Sequence, residues 1–490
     1  MTSSRHSLAI AALTIALLLG IAGDLLIRGM PWGINVAIGT ALFLAAVITL
    51  LVCGGRLDLP SVVFAVIPAF AAALGIAWRD SPVLVAVDAL TLASFLSLLA
   101  LGPRGVRVAT AAMSDVAVAV AMTVFQAVAG MLQLPLFDVQ WRSLPLGVAS
   151  KRTVTALRGL AIALPALVIF GVLLSSADAN FSALMGALFR FDLPTVLGHI
   201  VLTLVITLVC VGTFRSLLWS SPAPQLTKPD LLRLPVAEAT VALGLVDALF
   251  LTFVVVQSGY FFGGIAPNVR YATYARRGFF ELVTVVLLVV PLLLVAEWLI
   301  DKAQPRALRV FRALAGLQVL LVIAIGASAL HRMALYQQAY GWTQLRLYAA
   351  AFTCWLAVVL VWLGVTVLTG HRARFLSGVL ATGVAALIVL HAIDPDDRIV
   401  RTNVANARAG RRPLDADYAG SLSADATPAL VQSLDAIDPE ARPCAAKHLL
   451  RIDSRLGDWR TWNVSRAAAH EAVQRHRLEL EMLSKACTDR

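Results

Sequence analysis

Residues 279–300 read FFELVTVVLLVVPLLLVAEWLI. Between Glu281 and Glu297 there is no charged side chain. Crossing the ~30 Å hydrocarbon layer of a bilayer takes about 20 mostly apolar residues in a helix, and this stretch has that length. Pro291 does not disqualify it, because membrane helices tolerate proline as a kink. Comparable runs recur near 8–27, 33–53, 60–77, 83–101, 109–134, 155–175, 195–218, 236–259, 311–330, 346–369 and 375–393, about twelve spans in all. Pro68 and Pro165 fall inside two of them.

Composition leads to the same class. The 490 residues are 59% hydrophobic and 14% charged, with mean hydropathy +0.82. A soluble protein carries about 25% charged residues. So large an apolar excess needs lipid as its solvent. Lipid cannot hydrogen-bond exposed backbone, so spanning segments are helices or closed barrels, and no strand-like alternation appears. The expected fold is all-α: a polytopic transmembrane helix bundle over residues 1–393, followed by a small helical extramembrane domain over 394–490. The opening MTSSRHSLAIAALTIALLLGIAGDLLI resembles a signal peptide, yet it lacks a small-x-small cleavage site and reads as a retained first helix. Stretches 134–152 and 176–193 read as interfacial or re-entrant.

The formal charge of +11 belongs to the bundle. From residue 394 onward, 15 of the 40 Lys and Arg meet 15 of the 29 Asp and Glu, so the tail is neutral. Positive charge confined to short loops between apolar spans is a topology signal, and it lacks the concentrated basic face of a nucleic-acid binder. Counted over alternate loops, Lys and Arg divide 15 to 10. With the richer set cytoplasmic, both termini of a twelve-span chain face outward, and the tail is periplasmic.

The tail carries helix punctuation. Asp394 is placed to cap a helix with Pro395 at its first position, and Ser423 to cap another with Asp425 in its first turn. About four helices are expected there. Cys444 opens one of these and Cys487 closes the next, so antiparallel packing brings both to one end, where an oxidising compartment would pair them and a cytosol would leave them free. Cys53, Cys210 and Cys354 lie in apolar spans and read as small hydrophobes.

Residues 271–283 read YATYARRGFFELV, a cluster of aromatics and arginines at the mouth of the span quoted first. Arg277 and Glu281 stand one helical turn apart and can pair; the tyrosines and phenylalanines suit an interfacial aromatic belt. A functional reading gives Arg276 and Arg277, with Tyr274 and Glu281, an anionic group to hold, a lipid phosphate or a carboxylate. This stretch resembles the signature of an uncharacterised family of bacterial multi-pass membrane proteins, catalogued as a domain of unknown function. RMALYQQAYGWTQLRLYAAAFTCW (332–355) is similar to a second landmark of that family, and DWRTWNVSRAAA (458–469) to its usual ending. The resemblance implies an inner-membrane protein and supplies no activity and no catalytic residues. In the second landmark His331, Arg332, Tyr336, Tyr340, Trp342, Arg346 and Tyr348 read as an interfacial collar, with Arg332 beside Tyr336; a headgroup- or glycan-binding surface is the sharper alternative.

Charges within spans are costly and ordinarily face a partner or water. Asp88, Asp115, Glu238, Asp247 and Glu297 are of this kind, with His199 at the start of its span. Asp115 and Asp247 read as the deepest, and Glu238 and Asp247 as one stripe. Together Asp88, Asp115, Glu238 and Asp247 suggest either an ion or proton path or interhelical hydrogen bonding by neutral acids. No phosphate loop, zinc helix or nucleophile elbow occurs, and no histidines pair at i, i+4 on a span. No metal, cofactor or enzymatic activity is expected. Two classes of function remain: a non-enzymatic membrane component whose tail engages an envelope or signalling partner, and an ion- or proton-coupled carrier or flippase-like protein using the intramembrane carboxylates. Membrane lipids are partners in either case.

Overall fold

A computed structural model describes residues 2–139, 193–222, 235–263, 279–300, 305–453 and 458–487, with scattered positions between 159 and 181. The described residues are overwhelmingly helical and contain no strand. The long helices are α1 (Thr2–Ile27), α2 (Ile34–Cys53), α3 (Leu59–Trp78), α4 (Pro82–Leu98), α5 (Met113–Gln133), α6 (Leu193–Leu218), α7 (Val236–Gly263), α8 (Phe279–Leu299), α9 (Pro305–Tyr340), α10 (Gln344–Thr366) and α11 (Phe375–Ile393). Shorter helices follow in the tail: α12 (Pro395–Arg408), α13 (Ala416–Ser421), α14 (Thr427–Val431), α15 (Arg442–Asp453), α16 (Val464–Arg475) and α17 (Arg477–Ser484).

Eleven helices among the described residues are long and apolar enough to cross a membrane. Each coincides with a span expected from the sequence. The twelfth expected span, 155–175, and the interfacial stretch 176–193 lie largely outside the described residues. Large side chains stand open on these helices, among them Phe125 (74% exposed) and Leu90 (69%). In water such a surface would be a liability; in hydrocarbon it is the solvated face. The chain is a multi-pass membrane protein with an all-α bundle.

The chain divides into two compact units. The first comprises residues 1–30, 38–59 and 121–222. In it α1 packs along α6. The two approach closely because glycines face bulk: a Cβ on Gly20 would meet the Thr207 hydroxyl at 2.0 Å, and one on Gly23 would meet Ile206 at 2.9 Å. Small residues at such a seam let membrane helices pack backbone to backbone. Asp24 near one end accepts from Arg28 (2.8 Å) and contacts His199 Nδ1 (2.5 Å). Asp138 lies between Arg5 and Arg215, at 2.7 Å from each.

The second unit comprises residues 31–37, 60–120 and 223–490. Helices α7 to α10 share one apolar core, built from Leu243, Val289, Leu293, Phe311, Val322, Leu360 and Leu363. The tail has its own core around Ile399, Val400, Val404, Leu430, Leu449, Val473 and Leu480. Leu347, in the first turn of α10, belongs to this second core. Apolar burial thus runs unbroken from the start of a spanning helix into the tail. The helix punctuation expected in the tail is present: the Asp394 side chain accepts from the Asp397 amide with Pro395 at the helix start, and Ser423 accepts from the Asp425 amide.

Candidate functional site

Within the second unit, polar groups from five separate stretches converge: the turn 79–81 between α3 and α4, the start of α10, the end of α11 with the start of α12, the loop 423–425, and residues 463–466. The convergence follows from local structure. Helix ends leave carbonyl and amide groups without intrahelical partners. In a membrane protein those groups need donors and acceptors from elsewhere, and the tail supplies them.

Asp425 is the main acceptor. Its side chain is 1% exposed. Its carboxylate takes the backbone amides of Asp80 and Ser81, both at 2.9 Å. It also accepts from the Ser423 hydroxyl at 3.0 Å, from Arg79 at 3.4 Å and from Ser465. Arg79 donates in addition to Asp394, and to the His391 carbonyl at 3.0 and 2.7 Å. Residues 463–466 close the arrangement. Asn463 Nδ2 donates to the carbonyls of Ile76 (2.9 Å) and Arg79 (3.0 Å), capping the end of α3. Ser465 donates to the Trp78 carbonyl at 3.0 Å. Arg466 pairs with Asp80 and reaches the Trp32 carbonyl at 2.8 Å. Gly33 is required there, since a Cβ would stand 2.3 Å from the Trp462 carbonyl.

A second layer is built on Asp396, which is fully buried. It accepts from Gln344 Nε2 at 2.9 Å and from the Ser423 hydroxyl at 2.6 Å. Asn403 brackets Trp342, accepting from its amide and donating to its carbonyl at 3.0 and 2.9 Å. The Gln344 amide donates to the Tyr418 hydroxyl at 2.7 Å. The carboxyl-terminal part of the collar stretch, from Trp342 to Tyr348, is thus a docking edge for the tail. Within the collar the Arg346 guanidinium stands 4.1 Å over the Tyr336 ring.

Burial sets the acid–base character of these carboxyls. Desolvation raises Asp394 to about 6, Asp425's charge adds to it, and Arg79 opposes it. Desolvation likewise raises Asp80 and Asp396, against the pull of Arg466 on the first and of hydrogen bonds from Ser423 and Gln344 on the second. The cluster can therefore take up protons under mildly acidic conditions.

One arm continues into the bundle. His391 Nε2 lies 3.0 Å from Asp88. Both residues are buried. Gly75 makes room for them, since a Cβ there would stand 2.7 Å from Asp88 Oδ2 and from His391 Nε2.

The intramembrane carboxylates expected from the sequence have separate settings. Asp88 meets His391. Asp115 stands in the first turn of α5 and is half-buried. It is not deep, because the helix begins only two residues before it. Glu238 is exposed in the first turn of α7, while Asp247 is buried on the same helix. Nine residues turn a helix by about 900°, which puts the two on opposite faces. They do not share a stripe. Glu297 is buried near Arg372, at 3.5 Å. Glu281 is exposed in the first turn of α8. Tyr274, Arg276 and Arg277 lie outside the described residues. Cys444 and Cys487 have their sulfurs 2.07 Å apart.

Arg79, His391, Asp394, Asp425, Asn463, Ser465 and Arg466 were not singled out from sequence as a site. One signal was available. Two of the three stretches that carry the family resemblance, 332–355 and 458–469, supply much of the network. A search of curated proteins finds no match to the chain, and neither does a search of solved structures. A family model described as "Domain of unknown function (DUF4153)" matches residues 66–433, and the chain belongs to that family.

Proposed function

We propose that the protein is a non-enzymatic component of the bacterial inner membrane whose carboxyl-terminal domain faces the periplasm and engages an envelope or signalling partner. The observation that carries this reading is the outer surface of the tail. Leu478 (78% exposed) and Met482 (66%) stand one turn apart on α17, while Leu480 between them is fully buried. Trp459 is 65% exposed. Apolar side chains so open on a polar domain are a common mark of a protein-binding face. The polar network around Asp425 and Asp396 acts as a latch that holds the domain presenting them.

Sidedness has independent support. The turns 31–33, 79–81 and 341–343 all bond to the tail and so share its side. Loops then alternate from these fixed points. Among the described residues of the second unit, the opposite side then holds 99–112, 305–312 and 371–374, with seven Lys and Arg, while stretches 79–81 and 331–346 hold three. The excess favours a cytoplasmic location for the first group and a periplasmic one for the tail. With α1 leading into the turn 31–33, the amino terminus is then cytoplasmic in this reading. Alternate-loop counting over twelve spans puts that terminus outward.

A photoreactive residue at position 478 in native membranes tests the partner. The expected result is a crosslink to an envelope protein that Met482→Asp abolishes. Crosslinks to lipid alone, or none, would contradict it. A second reading, an ion- or proton-coupled carrier, is favoured by the Asp88–His391 pair and by buried Asp247.

A further inference from the structure

Helices α7 and α9 pack against each other. Ala239 and Leu243 of α7 share a core with Phe311, Ala315 and Val319 of α9. Further along, Phe250 and Val254 pack on the cluster of Ile325 and Ala329. Residue numbers rise together along both helices, so the two run parallel. Near the far end Ser328 donates to Gln257 across the seam. Those two are 71 residues apart in the chain. Asp247 and Gln318 have the same separation, ten residues earlier on each helix. With ~1.5 Å of rise per residue on both, the second pair stands level, about 15 Å from the first.

Both members of this second pair are buried: Asp247 is 3% exposed and Gln318 not at all. Neither Asp247 oxygen has a hydrogen-bond partner, nor does either polar atom of the Gln318 amide. The remaining seam positions around them are apolar. Four polar atoms at one level of an apolar seam, none of them satisfied by the protein, call for a ligand that can bond to oxygen.

We propose that Asp247 and Gln318 form an intramembrane site for one monovalent cation, a proton or sodium. Charge selects that class. A single carboxylate neutralises one positive charge; a divalent cation would leave a net charge in hydrocarbon, and an anion would be repelled. The amide oxygen supplies a second ligand atom. Gln257 and Ser328 form the next polar layer toward the end of the seam. The proposal stands independently of any partner of the tail.

Dicyclohexylcarbodiimide couples to protonated carboxylic acids in apolar surroundings. The full chain in lipid nanodiscs would be treated with it from pH 5 to pH 9, with and without sodium, and Asp247 modification read by peptide mass spectrometry. The expected result is modification that falls at least tenfold across this range. If sodium is the cation, it suppresses modification at fixed pH; if the proton alone binds, potassium and sodium act alike. Gln318→Leu is expected to move the midpoint by a pH unit or more, or to weaken sodium protection tenfold, and Asp247→Asn to abolish the signal. Modification independent of both pH and sodium, or none at any pH, would overturn the proposal. The pH and sodium arms use the unaltered chain, so they decide the matter even where a variant fails to fold.

Discussion

Arg466, near the end of the chain, pairs with Asp80 in the turn between α3 and α4. The guanidinium also reaches the carbonyls of Trp32 and Thr461, so one side chain gathers two inter-helix turns and its own 3-10 turn. Hydrogen bonds to charged groups contribute ~1.5–3 kcal/mol each when one partner is removed. Arg466→Ala is therefore expected to weaken docking of the tail by about 2 kcal/mol. Limited proteolysis of the purified protein checks it: cleavage within 409–424 should quicken severalfold, while Arg475→Ala, which breaks an exposed pair on α16, should leave the rate unchanged.

Acid should tighten the latch. Asp394 titrates near 6 in the folded protein, above the ordinary 3.8. The folded state thus favours the protonated form. This contribution is complete below about pH 4 and is lost as pH rises through about 6. Desolvation raises Asp80 and Asp396 as well, and they act in the same sense. Thermal unfolding in detergent should shift upward between pH 7 and pH 5. In Asp394→Asn, which carries no titrating proton, that shift should shrink.

Gly75 bounds the Asp88–His391 pair. A methyl group there would lie within 2.8 Å of three of the pair's polar atoms. Gly75→Ala should therefore separate the pair and strand a buried carboxylate. The expected loss of stability is about 1–3 kcal/mol for an unsatisfied buried group. Asp88→Asn with His391→Gln, a neutral pair that can still hydrogen-bond, should lose less. Melting curves of the two variants check the order.

Cys444 and Cys487 stand 43 residues apart in the chain. Cross-linking a loop of that length contributes ~3–4 kcal/mol by loop entropy. Reduction should lower the melting temperature of the tail, and thiol labelling followed by mass spectrometry should find these two cysteines only after reduction.

The bundle was legible because each span is a local event. Twenty apolar residues declare a helix whatever surrounds them, and the stretches around Leu293 or Leu360 are of this kind. The latch was not legible, because its members are single polar residues scattered from Arg79 to Arg466. None has a local pattern, and only the folded chain brings the Asp425 carboxylate to the amides of residues 80 and 81. His391 was passed over because its partner, Asp88, lies on another helix rather than one turn away. Glu238 and Asp247 read as one stripe when their separation is taken as whole turns, but nine residues make two and a half and place them on opposite sides of one helix. The tail's caps at Asp394 and Ser423 were legible, since an N-cap is again a local feature.

The central claim is that the tail and the turns it grips lie on the periplasmic side, with the amino terminus opposite. Single cysteines at Ser7 and Ser484, in a chain whose native cysteines are replaced, would be exposed to a membrane-impermeant maleimide in cells with a permeabilised outer membrane. The account predicts labelling at 484 in intact inner membranes and at 7 only after lysis. Labelling at both positions before lysis, or at 7 alone, would contradict it.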